Sequence, residues 1–115
     1  MKILVPTVPK GHAHVYQMFT IRVKAGRKTR DALASTLADN GVMTKVYFDP
    51  VHLTEFYRAK FGFQEGMLPM TERLSQEVLT LPLFPTMKRH EMDYVIRTIE
   101  EFFDETLRGR RKTRR

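Results

Sequence analysis

The stretch VYQMFTIRV, residues 15–23, decides the fold. In an extended chain Val15, Phe19, Ile21 and Val23 share one side with Gln17, while Tyr16, Met18, Thr20 and Arg22 take the other. A period of two, written in β-branched and aromatic residues, predicts a strand with one face buried. Such a face needs cover, and the flanking sequence supplies helices for it.

Upstream, MKILVPTVPKGH (1–12) holds Pro6, Pro9 and Gly11, so it reads as an extended lead-in rather than a packed element. Downstream, KAGRK (24–28) reads as a turn. Residues 29–40 then read as a helix, with Leu33 and Leu37 one turn apart and alanines beside them. Gly41 fits its stop, since glycine enters the left-handed conformation at little cost. TKVYF (44–48) reads as a second strand, ended by the Asp49-Pro50 turn.

From Leu53 the spacing becomes helical: Leu53, Phe56, Tyr57 and Phe61 form a stripe that stops at Gly62. Pro69 suits the first position of another helix, whose apolar face runs through Met70, Leu74 and Val78. VLTLPLF contains Pro82 and is limited to an edge strand or an extended segment. Met92, Val95, Ile96, Ile99, Phe102, Phe103 and Leu107 mark a long amphipathic helix, acidic on its other side. The order β–α–β–α–α–β–α predicts an α/β fold: a small sandwich in which a short, mainly antiparallel sheet is covered by about four helices.

The 115 residues make one domain, divided as an extended lead-in (1–12), a folded body (13–107) and a basic, disordered tail (108–115). The chain has no cysteine, which excludes disulfides and thiolate chemistry. No apolar run reaches the ~18 residues of a membrane span, and no secretory leader is recognisable, so a cytoplasmic protein without membrane contact is expected. The net charge of +7 is mostly local. RGRRKTRR at the C-terminus holds six of the twenty Lys and Arg, leaving fourteen against thirteen Asp and Glu in residues 1–107. A tail of this kind is solvated or makes non-specific contacts with polyanions, nucleic acid included. The long helix shows acid on its exposed side, which opposes specific base readout.

Phosphate loops, GxGxxG turns and HExxH helices are absent. His12, His14 and His52 are scattered, without the spacing of a metal site, so no metal is expected. His52 follows a proline turn just before a helix, where functional groups are often presented. A histidine there either fixes its own loop through a backbone hydrogen bond or binds a ligand. With neither a partner nucleophile nor a purposeful carboxylate pair, no catalytic residue is assigned.

Taken together, His14-x-Tyr16, Gly41, Tyr47 with Pro50-x-His52, Gly62, Leu68-Pro69 and Leu81-Pro82 resemble the C-terminal domain of the DegT/DnrJ/EryC1/StrS family. The similarity covers about residues 12–104. Members are aminotransferases that use pyridoxal phosphate to move an amino group from glutamate to nucleotide-linked keto-sugars. The resemblance implies the small domain of a fold-type I aminotransferase, with the cofactor lysine, its partner aspartate and the phosphate loop in a large domain that has no counterpart here. It therefore implies no cofactor on this chain alone and no activity by this chain alone. It also implies a nucleotide-sugar substrate in the full enzyme. Tyr47, Pro50 and His52 become substrate-side residues at a domain interface, His52 in binding or orientation, while His14 and Tyr16 support the sheet. Apolar surface left by the missing domain implies self-association or a large-domain, cofactor-binding chain as partner. The alternative function is a small non-catalytic module that touches nucleic acid through its tail.

Overall fold

The structure, a computed structural model, describes residues 2–112, and side chains for residues 2–104. Its centre is a three-stranded antiparallel sheet, β1 (Ile3–Leu4), β2 (Phe19–Val23) and β3 (Val78–Leu81), with β2 in the middle. Ile3 pairs with Val23 on one edge of β2, and Phe19 with Leu81, Ile21 with Leu79 on the other. Four α-helices accompany it: α1 (Arg27–Asp39), α2 (Glu55–Phe61), α3 (Pro69–Glu77) and α4 (Arg89–Lys112).

The alternation in β2 places its residues as expected. Ile21 and Val23 are buried and Phe19 packs beside them, joined by Leu33 and Leu37 of α1, Leu79 of β3 and Val95 of α4. On the opposite face Thr20 and Thr80 form a cross-strand hydroxyl pair at 2.7 Å, and Arg22 grips Glu77 at 2.7 and 3.0 Å. Thus α1 and α4 cover one face with hydrocarbon, while the other face is organised by polar pairs at the end of α3.

The strand is shorter than its sequence pattern. Val15 is 88% exposed, because no neighbouring strand reaches it and Tyr16 bends the chain with a φ of 48°. The Tyr16 N–H donates to His14 Nδ1 at 2.7 Å, and the two rings lie 4.2 Å apart. His14 and Tyr16 therefore form a surface turn before the sheet, and the Tyr16 ring stacks on Phe19 of β2 with centroids 6.2 Å apart. The start of the lead-in, by contrast, is packed: Ile3 and Leu4 form an edge strand, and Lys24 N–H closes it on Lys2 O at 3.0 Å, while residues 7–12 are exposed.

The strand expected over 44–48 shrinks to one residue. Lys45 exchanges both backbone hydrogen bonds with Thr80, at 3.1 and 2.7 Å, and the chain then leaves the sheet edge towards Pro50. Gly41 does end α1. Its N–H reaches Ala38 O at 2.9 Å and the Val42 N–H reaches Leu37 O at 2.8 Å, the paired closure that a glycine at φ 76° permits. At the other end α1 begins two residues sooner than expected, since Gly26 turns the chain at φ 84° directly before Arg27. Val78 belongs to β3, not to the face of α3. The α2 stripe is not core either: Phe56 and Phe61 are 60% and 53% exposed. Finally, α4 runs on to Lys112, into the stretch expected to be a disordered tail. The side chains of 108–115, on which a polyanion contact would depend, lie outside the described residues.

Candidate functional site

The site grows from the turn at Asp49-Pro50. Proline fixes φ at −59°, and Pro50 O then accepts the Leu53 N–H at 3.0 Å, winding Val51–Leu53 into one tight helical turn. Thr54 secures it, its hydroxyl donating to Val51 O at 2.8 Å. This turn carries His52 inward. Only 7% of the residue is exposed, an unusual place for an imidazole just ahead of a surface helix.

What His52 meets comes from the far side of α2. Gly62, at φ 69°, ends that helix and sends the chain back through 63–68 to Pro69. Glu72, in the first turn of α3, gathers this return segment. Its Oε1 accepts the Gly66 N–H at 2.7 Å and its Oε2 the Leu68 N–H at 3.1 Å. The same Oε2 lies 3.4 Å from His52 Nε2 without the alignment of a hydrogen bond, so the contact is electrostatic. Among the described residues, His52 Nε2 is the one buried side-chain polar atom without a hydrogen-bond partner.

The Gly66 N–H does most to hold the Glu72 carboxyl below its ordinary value; desolvation works against it, and the Leu68 N–H and His52 reinforce it. A depressed carboxyl pKa contributes stability that is present above the ordinary value, near 4.5, and is lost as pH falls through the folded value. The difference in unfolding free energy between wild type and Glu72→Gln should therefore shrink as pH is lowered from 6 to 3. Urea titrations across that range measure it, and a pH-independent difference would show that the carboxylate's charge plays no part.

Above the turn lies an apolar concavity of about 410 Å³, walled by Phe48, Pro50, Val51, Tyr57, Phe63 and Leu68, with Asp49, His52 and Thr71 as its polar members. Among the described residues that line it are a carboxylate and no Lys or Arg. Pro50 and His52 thus meet at one site. Tyr47 stands outside those walls, 39% exposed, with its ring 4.9 Å from that of Phe48 across a cis peptide. Glu72, which organises the site, escaped the sequence reading. Its only signal there was its place in the first turn after Leu68-Pro69, where a carboxylate suits free N–H groups.

Among the described residues no three His, Asp or Glu stand close enough to hold a metal ion, and no helix is long and apolar enough to cross a membrane. Two lysine ammonium groups have protein partners, and Lys45 pairs through its backbone. Lys60 lies 5.4 and 5.6 Å over the Phe56 and Phe61 rings on the exposed α2, Lys45 bridges to Thr80, and Lys2 donates to Phe103 O at 3.2 Å.

Comparison with known proteins agrees with this architecture. The family model described as the DegT/DnrJ/EryC1/StrS aminotransferase family matches residues 1–100. The "Pleiotropic regulatory protein" of Geobacillus stearothermophilus is 36% identical over 88% of this chain and 26% of its own length. Among solved structures, the aminotransferase TlmJ from Streptoalloteichus hindustanus superposes with a TM-score of 0.78 at 31% identity, over 91% of this chain and 27% of that one. DesV from S. venezuelae, solved in complex with a ketimine intermediate, gives 0.78 at 31%, over 89% and 26%. The chain spans about a quarter of the length of each.

Proposed function

Because the chain belongs to the DegT/DnrJ/EryC1/StrS aminotransferase family, we propose that it acts as the substrate-side domain of a sugar aminotransferase. In that enzyme pyridoxal phosphate moves an amino group from glutamate to a nucleotide-linked keto-sugar. The observation that carries the reading is the His52 site: a buried histidine at the floor of an apolar concavity, within a fold shared with TlmJ and DesV.

Pyridoxal phosphate does not fit the described residues. A Schiff-base lysine must be held where its ammonium loses a proton readily, beside a cradle for ring and phosphate. The Lys2 ammonium instead meets the Phe103 carbonyl and that of Lys60 two aromatic rings, and no phosphate loop is present in the sequence. The cofactor chemistry belongs to another domain, and this chain supplies walls and orientation. Pro50 shapes the concavity, His52 contacts the substrate within it, and Tyr47 lies at the domain interface beside it.

The partner is a cofactor-binding large domain, or a second copy of the chain where that domain is absent. Two surfaces call for cover. One is the aromatic face of α2. The other is an apolar groove of about 360 Å³ between the sheet and α4, bordered by Ile3, Phe19, Leu81, Met87, Ile96 and Ile99.

Grafting tests the reading. In a TlmJ chimera whose matching quarter is replaced by this chain, amino transfer should persist. His52→Ala in that chimera should lower kcat/KM about 10- to 100-fold, the worth of one polar substrate contact at ~1.4–2.7 kcal/mol. A His52→Ala chimera as active as its parent would remove His52 from the substrate.

A further inference from the structure

We propose that Glu72 is the positioning residue for His52: it holds the neutral imidazole with its proton on Nε2, so that Nδ1 is the hydrogen-bond acceptor offered to the concavity. Both partners are well covered, His52 at 7% and Glu72 at 15% side-chain exposure, so the choice of tautomer is made in poor solvent. At 3.4 Å a proton on Nε2 lies in the field of a carboxylate oxygen, an electrostatic attraction short of a hydrogen bond. The other tautomer would set the Nε2 lone pair against the lone pairs of Oε2, two acceptors facing one another with no water between them. Glu72 cannot turn away to relieve that clash, because Gly66 and Leu68 hold its two oxygens from the protein side.

With Nε2 committed to Glu72, Nδ1 is the nitrogen left for the concavity that His52 lines. This fixes the chemistry of the ligand, and here the argument rests on the reading of His52 as a substrate contact. An Nδ1 acceptor beside the Asp49 carboxylate, among apolar walls free of Lys and Arg, suits an uncharged group bearing O–H or N–H donors. It repels a phosphate. The site would take the nucleoside or sugar part of a nucleotide-sugar and leave the diphosphate to cations elsewhere.

Long-range ¹H–¹⁵N correlation of the imidazoles in the ¹⁵N-labelled chain, at about pH 8.5, reads the tautomer directly. The expected pattern is Nε2–H in wild type and its loss in Glu72→Gln, whose amide can turn an N–H towards Nε2. A wild-type Nδ1–H pattern overturns the proposal without any variant. So does an unchanged Nε2–H pattern in a folded E72Q, since Glu72 would then have only a structural part. A second arm adds uridine or inorganic phosphate. Uridine should move the Nδ1 resonance to lower frequency and phosphate should not; an equal response to phosphate overturns the donor-ligand assignment. An Nε2–H tautomer that depends on Glu72, with no response to uridine, upholds Glu72 and defeats the substrate-contact reading instead.

Discussion

Leu37→Ala is expected to lower the unfolding free energy by about 3–5 kcal/mol, a large part of the ~5–15 kcal/mol that holds a small domain. Leu37 is fully buried in the cluster of Ile21, Val23, Leu33, Val42, Leu79 and Val95, where α1 meets the sheet and α4. Its backbone also takes part in the closure at Gly41, accepting the Val42 N–H at 2.8 Å. Truncation removes transfer energy and leaves a cavity that three converging elements cannot close. Urea unfolding should show a lower midpoint with an unchanged slope. Phe56→Ala is the contrasting case: the ring is larger but 60% exposed, so the loss should stay within about 0.5 kcal/mol. Equal losses at the two positions would mean that the core lies elsewhere.

Arg30→Met should cost about 2–4 kcal/mol despite keeping the volume apolar. Arg30 sits on the inner face of α1 with Leu33 and Leu37, at 4% exposure. Its Nη1 donates to Ser75 O at 3.0 Å and to Val78 O at 2.9 Å, and its Nε to Asp31 at 2.6 Å. One guanidinium thus ties α1 to the junction of α3 and β3. Methionine fills the space but leaves two carbonyls without their charged donor. Arg30→Lys should recover part of the loss, because a single ammonium cannot span all three acceptors in the geometry of the planar fork. A neutral Arg30→Met in the urea titration would show that water replaces the donor at no cost.

Arg30 also shows where sequence reading stops. The period-two pattern of Phe19, Ile21 and Val23, the glycine stop at Gly41 and the proline start at Pro69 are local signals, and each is where the residues place it. Arg30 on an apolar helix face looks like a surface charge, because the carbonyls that justify its burial come from residues 75 and 78. Glu72 is hidden for the same reason: its partners are set by how the chain returns after Gly62. Two expectations failed through missing neighbours. Val15 continues the alternation but has no adjacent strand, and TKVYF has strand-forming residues but pairs only at Lys45. The α2 stripe at Phe56 and Phe61 has core spacing without core burial, since spacing reports which residues share a face and not what covers it. Of the site, Pro50 and His52 were legible from the turn and the family resemblance, whereas the burial of His52 against Glu72 was not.

The central proposal is that this chain supplies the substrate side of a sugar aminotransferase, with the cofactor held by another domain. The most direct measurement is to incubate the purified chain with pyridoxal phosphate, reduce with borohydride, and determine intact mass and labelled peptides. The account predicts scattered, substoichiometric labelling of surface lysines, unaffected by a nucleotide-sugar. One equivalent on a single lysine, competed by a nucleotide-sugar, would contradict it and place a cofactor site within these 115 residues.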